Sequence, residues 1–294
     1  MRPTTATAGY TPAEETFLAG AARLGLSLNP SQLEQFRTYF GELAAWNRRF
    51  NLTAITDYDQ ALSRHFLDSL TPLPIIRAAG ASTLIDVGSG AGFPGLPLLI
   101  ACPRLRVTLL DSMQKRIAFC RHIAGTLALE PRLVTARAEE AGRDPTHREA
   151  YDITVCRAVD RLAVLAEYLL PFCRTGGLAI AMKKGRLGDE LAQAERAVAQ
   201  LGGVMRDVIP VDPSLGLGDD RFLVVIEKTR PTPKAYPRRP GVPRKRPLLV
   251  STRFSPPVRS TRFSPPVRST RFSAKGGGGA TEQQQCGPPG EAGE

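Results

Sequence analysis

Between Ile85 and Gly95 the chain reads IDVGSGAGFPG, with glycines at 88, 90, 92 and 95 behind the acidic Asp86. Glycines at that density leave bare backbone against which a ligand can lie. A strand ending in Asp86, a glycine turn and then a helix aim free N–H groups and a positive dipole end at the occupant. A dinucleotide is one candidate. The third glycine of the dinucleotide fingerprint is here Phe93, followed by Pro94, so a pyrophosphate crossing the turn loses the close approach a glycine supplies. Asp111 ends the next β-rich run and is placed to accept hydrogen bonds from ribose hydroxyls, a contact that does not discriminate between nucleotide-like ligands.

No Ser/His/Asp arrangement or carboxylate pair stands out elsewhere. Five cysteines, at 102, 120, 156, 173 and 286, form no CxxC pair and are accompanied by only three histidines, which argues against a zinc site or a disulfide framework. Cys102, Cys120, Cys156 and Cys173 sit in apolar contexts and are expected to be small core residues. No metal is expected, and the chemistry is expected to rest on positioning.

The elements that must hold this turn are readable from periodicity. TPAEE at Thr11–Glu15 is a capping-box pattern, and Leu33, Phe36, Phe40, Leu43 and Trp46 recur at helical spacing. A third helix is expected over 61–70, ended by Pro72 and Pro74. From Thr83 onward, TLIDV, RVTLL, PRLVTA, YDITVC and GGLAIAM read as strands, with helices near 96–102, 113–127, 160–170 and 187–200. Such alternation predicts a mostly parallel sheet with helices on both faces. VMRDVIP and RFLVVIEK have no helix between them and suit an antiparallel pair at one edge, making seven strands.

Three regions follow: a helical extension over 1–80, an α/β domain over 81–230 and a basic, Pro-rich tail over 231–294. Within the tail STRFSPPVR occurs at 251–259 and again at 260–268, with a truncated copy at 269–273. These copies are too short and polar to stack, and the tail is expected to be disordered. The longest apolar runs, such as LPLLIAC at Leu96–Cys102, fall far short of the roughly 20 residues a membrane span needs. With no apolar signal segment at the start, a cytoplasmic location is expected.

The net charge of +11 is local. Fourteen basic residues and no acidic one lie between Lys228 and Lys275, whereas residues before Lys228 carry 25 of each sign. A basic tail of this kind contacts polyanions, of which RNA is the foremost candidate.

DVGSGAG, an acidic strand end followed by glycines, resembles motif I of S-adenosylmethionine-dependent methyltransferases. That cofactor has no phosphate, and its methionine ammonium benefits from a nearby carboxylate such as Asp86. The resemblance narrows with WNRRFNLTAI, RHFLDSL, DVGSGAGFPGLPL, LLDSMQKRIAFC, RAEE, CRAV and AMKKGR, which occur in the order of the bacterial small-subunit ribosomal RNA guanine-N7 methyltransferases, also known as glucose-inhibited division protein B. TPKAYPRRPGVPRKRPL, residues 232–248, is similar to that family's basic C-terminus, and the likeness covers roughly residues 30 to 249.

The resemblance implies a Rossmann-like class I methyltransferase that binds S-adenosyl-L-methionine and methylates N7 of a guanosine in 16S ribosomal RNA or the small ribosomal subunit. It further implies cofactor contacts from Gly88, Phe93, Ala138, Glu139 and Arg157, with Asp111 at the ribose edge; Phe93 is expected to cover the ligand and residues 138 and 139 to meet adenine. Because guanine N7 exposes a lone pair, no catalytic base is expected, and Arg157 is the candidate for positioning, either on the cofactor side or at guanine O6. Arg64, His65, Lys115, Arg116, Arg121, Lys183 and Lys184 are expected to contact RNA. A methyltransferase for a small molecule and a noncatalytic RNA-binding protein on the same fold are the alternatives.

Overall fold

The structure is a computed structural model that describes residues 9–157 and 160–249. The nonapeptide repeat and the segment after it, expected to be disordered, lie outside the described residues. Seven strands form one sheet: β1 (Thr83–Val87), β2 (Arg106–Asp111), β3 (Arg132–Thr135), β4 (Tyr151–Cys156), β5 (Cys173–Lys184), β6 (Gly203–Pro210) and β7 (Arg221–Lys228). Their order is β3-β2-β1-β4-β5-β7-β6, with β7 antiparallel to both neighbours and the other pairings parallel. This is the seven-stranded α/β architecture expected from the alternation. The order reverses between β1 and β4, and a crevice opens beyond the carboxyl ends of strands at such a switch point.

The N-terminal helices form because both carry complete caps. Thr11 and Glu14 make reciprocal cap bonds at α1 (Pro12–Arg23), and Asn29 and Gln32 do so at α2 (Pro30–Phe50). The buried face of α2 runs through Leu33, Phe36, Tyr39 and Leu43; Phe40 and Trp46 are half-buried on its flank. Glu14, itself buried, accepts from Arg37 Nε at 2.6 Å and from the Tyr58 hydroxyl at 2.9 Å, and the Arg37 guanidinium holds its carboxyl down at about 2. These helices are not a separate layer. Phe17, Phe36, Tyr39 and Phe66 share one hydrophobic core with Phe93, Leu109 and Ile153.

The third helix runs over Tyr58–Ala61, a π-helical turn at Leu62–Leu67 and Asp68–Leu70; a further short helix, Leu73–Ala78, follows Pro72. Cys120, Cys156 and Cys173 are buried, and Cys102 is half-buried. Among the described residues no helix is long and apolar enough to cross a membrane.

Residues 232–249 fall in the same compact unit as the sheet. Lys228 is fully buried, and its Nζ donates to Glu149 Oε1 at 3.0 Å, to the Leu170 and Cys173 carbonyls at 2.6 and 3.1 Å, and to Thr232 Oγ1 at 2.8 Å. Arg148 donates to the carbonyls of Thr232, Pro233 and Tyr236. Apart from the short helix Val242–Lys245 this proline-rich segment has no backbone ladder of its own, and these donors satisfy carbonyls that packing takes from water. Charge composition alone reads this segment as solvated, because the partners lie far away in sequence.

Candidate active site

The glycine turn is held from below by Asp86. Its Oδ2 accepts from Gly95 N at 2.8 Å, which ties the end of β1 to the first residue of the helix Gly95–Ala101. A Cβ at Gly95 would lie 2.3 Å from Leu109 Cδ2 on β2, so the close helix–sheet approach requires glycine here; counted from Gly90, the run GAGFPG puts Gly95 at the third glycine of the dinucleotide spacing, and the expectation that Phe93 takes that place does not hold. Oδ1 of Asp86 is buried without a hydrogen-bond partner, and burial raises the carboxyl to about 7.

Asp111, buried at the end of β2, accepts from Gly90 N at 3.0 Å and Arg116 Nη1 at 3.2 Å through Oδ2, and from Met113 N at 2.8 Å through Oδ1. It fixes the turn while keeping lone pairs to share. A cleft of about 480 Å³ opens against Gly88, Asp111, Ala138 and Glu139, four of the residues singled out from sequence. Its size is that of an ordinary small-molecule site. Leu165 and Tyr168 from the helix Leu162–Leu169 form a further wall. Gly241, Arg244 and Lys245 also line it, and sequence reasoning misses them because they fall within the basic tail segment.

Phe93, Arg157 and Asp86 are not among the residues lining that cleft. Phe93 is buried in an aromatic stack, with Tyr39 at 5.3 Å on one side and His65 at 4.6 Å, both nearly parallel to it. The Arg157 guanidinium lies 4.7 Å from the Phe93 ring centre. Its Nη1 donates to the Arg64 and His65 carbonyls, both at 3.3 Å, in the π-helical turn where the ordinary ladder is displaced. Nη1 also reaches Asp68 Oδ2 at 3.3 Å, whereas the sequence neighbour Asp160 pairs with Arg244 at 3.4 Å. Burial raises the Asp68 carboxyl, and Arg157 and Arg221, each 3.3 Å away, oppose that shift.

A second cleft, of about 430 Å³, lies against Arg157, Arg161, Lys183, Lys184 and Arg221 together with Asp68. Asp160 lines both clefts, so the two are neighbours.

The residues expected to meet RNA divide by surroundings. Arg64, Lys115 and Arg121 are exposed. Lys184 is exposed and only loosely opposed by Asp220 at 3.8 Å. Arg116 is tied to Asp111, and Lys183 to Glu190 at 2.7 Å and the Asp160 carbonyl at 2.6 Å. His65 differs most: burial, with Arg157 adding to it, lowers its ring to about 4, so it is neutral at physiological pH. Nδ1 accepts from Arg157 at 3.4 Å, which assigns the proton to Nε2, donating to Thr53 Oγ1 at 2.7 Å. His65 therefore stacks on Phe93 as a neutral ring.

Comparison with known proteins gives a consistent result. Residues 32–212 match the family described as rRNA small subunit methyltransferase G. The chain is 52% identical over 231 residues to the ribosomal RNA small subunit methyltransferase G of Roseiflexus castenholzii, covering 78% of this chain and 97% of that protein. It is 46% identical over 235 residues to the protein of the same description from Pelotomaculum thermopropionicum, covering 80% of this chain and 98% of that one.

Proposed function

Since the chain belongs to the rRNA small subunit methyltransferase G family, we propose that it transfers a methyl group from S-adenosylmethionine to N7 of a guanosine in 16S ribosomal RNA. The observation that carries this reading is the pair of adjoining clefts sharing Asp160, one edged by the glycine turn and carboxylates, the other by basic side chains.

The first cleft fits an adenosine-bearing ligand. Asp111 is at hand for ribose hydroxyls and Glu139 for an exocyclic amine, while Asp86 leaves its Oδ1 unpartnered beneath the turn. When bound, S-adenosylmethionine supplies an electrophilic methyl group on a sulfonium. The protein's remaining work is to hold a guanine so that N7 meets that methyl in line, and alignment of this kind accounts for a large share of a displacement barrier.

N7 carries no proton, so no proton acceptor is needed. None of the three histidines lines either cleft: His65 is stacked on Phe93, His122 pairs with Glu42, and His147 bonds the Tyr151 hydroxyl. Arg157 lines the second cleft and not the first, which supports its role at guanine O6 rather than on the cofactor. Arg161 and Lys184 suit the nucleotide's phosphates, and exposed Arg64, Lys115 and Arg121 suit flanking backbone, where contacts supply affinity without reading sequence.

Methyl transfer from labelled cofactor to purified small subunits, naked ribosomal RNA and free guanosine tests the proposal, followed by borohydride and aniline cleavage of the product. The expected result is label in ribosomal RNA with a new aniline-sensitive guanosine. Label confined to free guanosine, or resistant to aniline cleavage, would overturn it.

A further inference from the structure

We infer that the segment 232–246 is a working wall of the cofactor site, and that Gly241 fixes Glu139 so that its second oxygen selects a 6-aminopurine. The inference rests on the reading of the first cleft as the S-adenosylmethionine site.

Glu139 is 4% exposed, and its Oε1 accepts from Gly241 N at 2.7 Å. No hydrogen bond within the described residues engages Oε2, which leaves it as an acceptor on a residue that lines the cleft. An anchored carboxylate offers one fixed acceptor and no donor, the pattern complementary to an exocyclic amine and repulsive to a ring carbonyl. Freed from Gly241, the same side chain would have several orientations to choose from.

The wall itself is pinned on both sides of Gly241. Glu167, fully buried on the helix that also provides Leu165 and Tyr168, accepts from Arg238 N at 2.8 Å, from Nε at 2.9 Å and from Nη2 at 2.6 Å. This is the bidentate arrangement of a guanidinium on a carboxylate with a backbone donor added. Past Gly241, Arg244 Nε lies 3.4 Å from Asp160 Oδ2, at the border between the two clefts. Gly241 has φ of +79°, while nothing lies within 4 Å of a Cβ built there, so the glycine is required for its backbone conformation and not for space. Arg238 and Gly241 are therefore positioning residues, acting on the ligand through Glu139.

Calorimetry on the full-length protein tests this with S-adenosylhomocysteine and its 6-oxo counterpart, S-inosylhomocysteine. The unmodified protein is expected to prefer the amino compound by about tenfold or more, as sites built around a buried polar contact do. Gly241→Ala and Arg238→Lys are expected to cut that preference to about threefold or less, with affinity for the 6-oxo compound nearly unchanged. A purely structural role would weaken both ligands together and leave their ratio intact. Glu139→Gln strains no backbone and places a donor beside the purine, so it is expected to erase or reverse the preference even if the other two variants fold poorly. Retention of the full preference in Gly241→Ala and Arg238→Lys, or in Glu139→Gln, would overturn the inference while leaving the cofactor site standing. Equal binding of both compounds by the unmodified protein would overturn it too; absence of binding by either would overturn the cofactor site as well.

Discussion

Asp86 carries a pH signature that separates its role from that of an ordinary surface carboxylate. In the unfolded chain it ionises near the usual aspartate value, whereas burial holds it protonated up to about 7 in the fold. Below pH 4 both states bind the proton and folding bears no penalty. As pH rises from there to 7 the unfolded chain gives up a proton that the folded chain keeps, so this group's contribution to stability declines and then levels above 7. Asp86→Asn removes the titration and retains an acceptor for Gly95 N. Urea midpoints between pH 5 and 7 should therefore shift in favour of the variant by at most about 1.4 kcal/mol per pH unit, with no further change from pH 8 upward. Parallel pH profiles for the two proteins would refute the assignment. Arg157 permits a second test, because Lys keeps the charge near Asp68 but loses the fork that spans two carbonyls, a carboxylate and an aromatic face. Arg157→Lys should lower methyl transfer by about tenfold or more and change S-adenosylhomocysteine affinity by less than about threefold. Loss of affinity equal to the loss of rate would return Arg157 to the cofactor side.

The helix α2 and the glycine turn meet at Tyr39, whose ring stacks on Phe93 and whose hydroxyl donates to the Ala91 carbonyl inside the turn. Tyr39 is completely buried, so Tyr39→Phe keeps the stack and leaves one buried carbonyl unpaired. The expected cost is about 1–3 kcal/mol in a denaturation curve, together with weaker cofactor binding, because the lost bond lies in the turn itself. Unchanged cofactor affinity would mean that the N-terminal helices do not tune the turn. How much of this is legible in the sequence depends on range. Thr11 with Glu14 announces α1, and the runs around Asp86 and Asp111 announce β1, β2 and the turn, since each signal is complete within a few residues. Gly88, Asp111, Ala138 and Glu139 can be placed together because the ends of successive parallel strands share one sheet edge. Phe93 cannot be placed, because its partners Tyr39 and His65 come from two other helices. The wall around Gly241 reads as tail for the same reason: Arg148, Glu149 and Glu167 reveal nothing in their local sequence of the chain that returns to them.

At the scale of the whole molecule the positive excess is less uniform than its composition. Three of the 14 basic residues between Lys228 and Lys275 pair with carboxylates of the fold, Lys228 with Glu149, Arg238 with Glu167 and Arg244 with Asp160. Six lie beyond Leu249, in a stretch with no acidic residue until Glu282. Affinity for RNA and competence for chemistry should therefore come apart. A chain ending after Leu249 retains both clefts and the anchors of the 232–246 segment, so its cofactor affinity and unfolding midpoint should match those of the full chain. Its RNA binding should weaken most at low salt. If all six cations contact single-stranded phosphates, the slope of log affinity against log salt should shrink by about 4, at roughly 0.7 per phosphate. Phosphate contacts made by Arg64, Lys115, Arg121 and Lys184 would survive the truncation and leave a residual slope. The decisive measurement is binding to small-subunit RNA by both chains across a salt series, with methyl transfer at saturating RNA as the companion. Equal slopes would show that the basic repeats do not touch RNA. A shorter chain that binds RNA normally but no longer methylates it would place the repeats in the chemistry itself, because the two functions would then not be separable at Leu249.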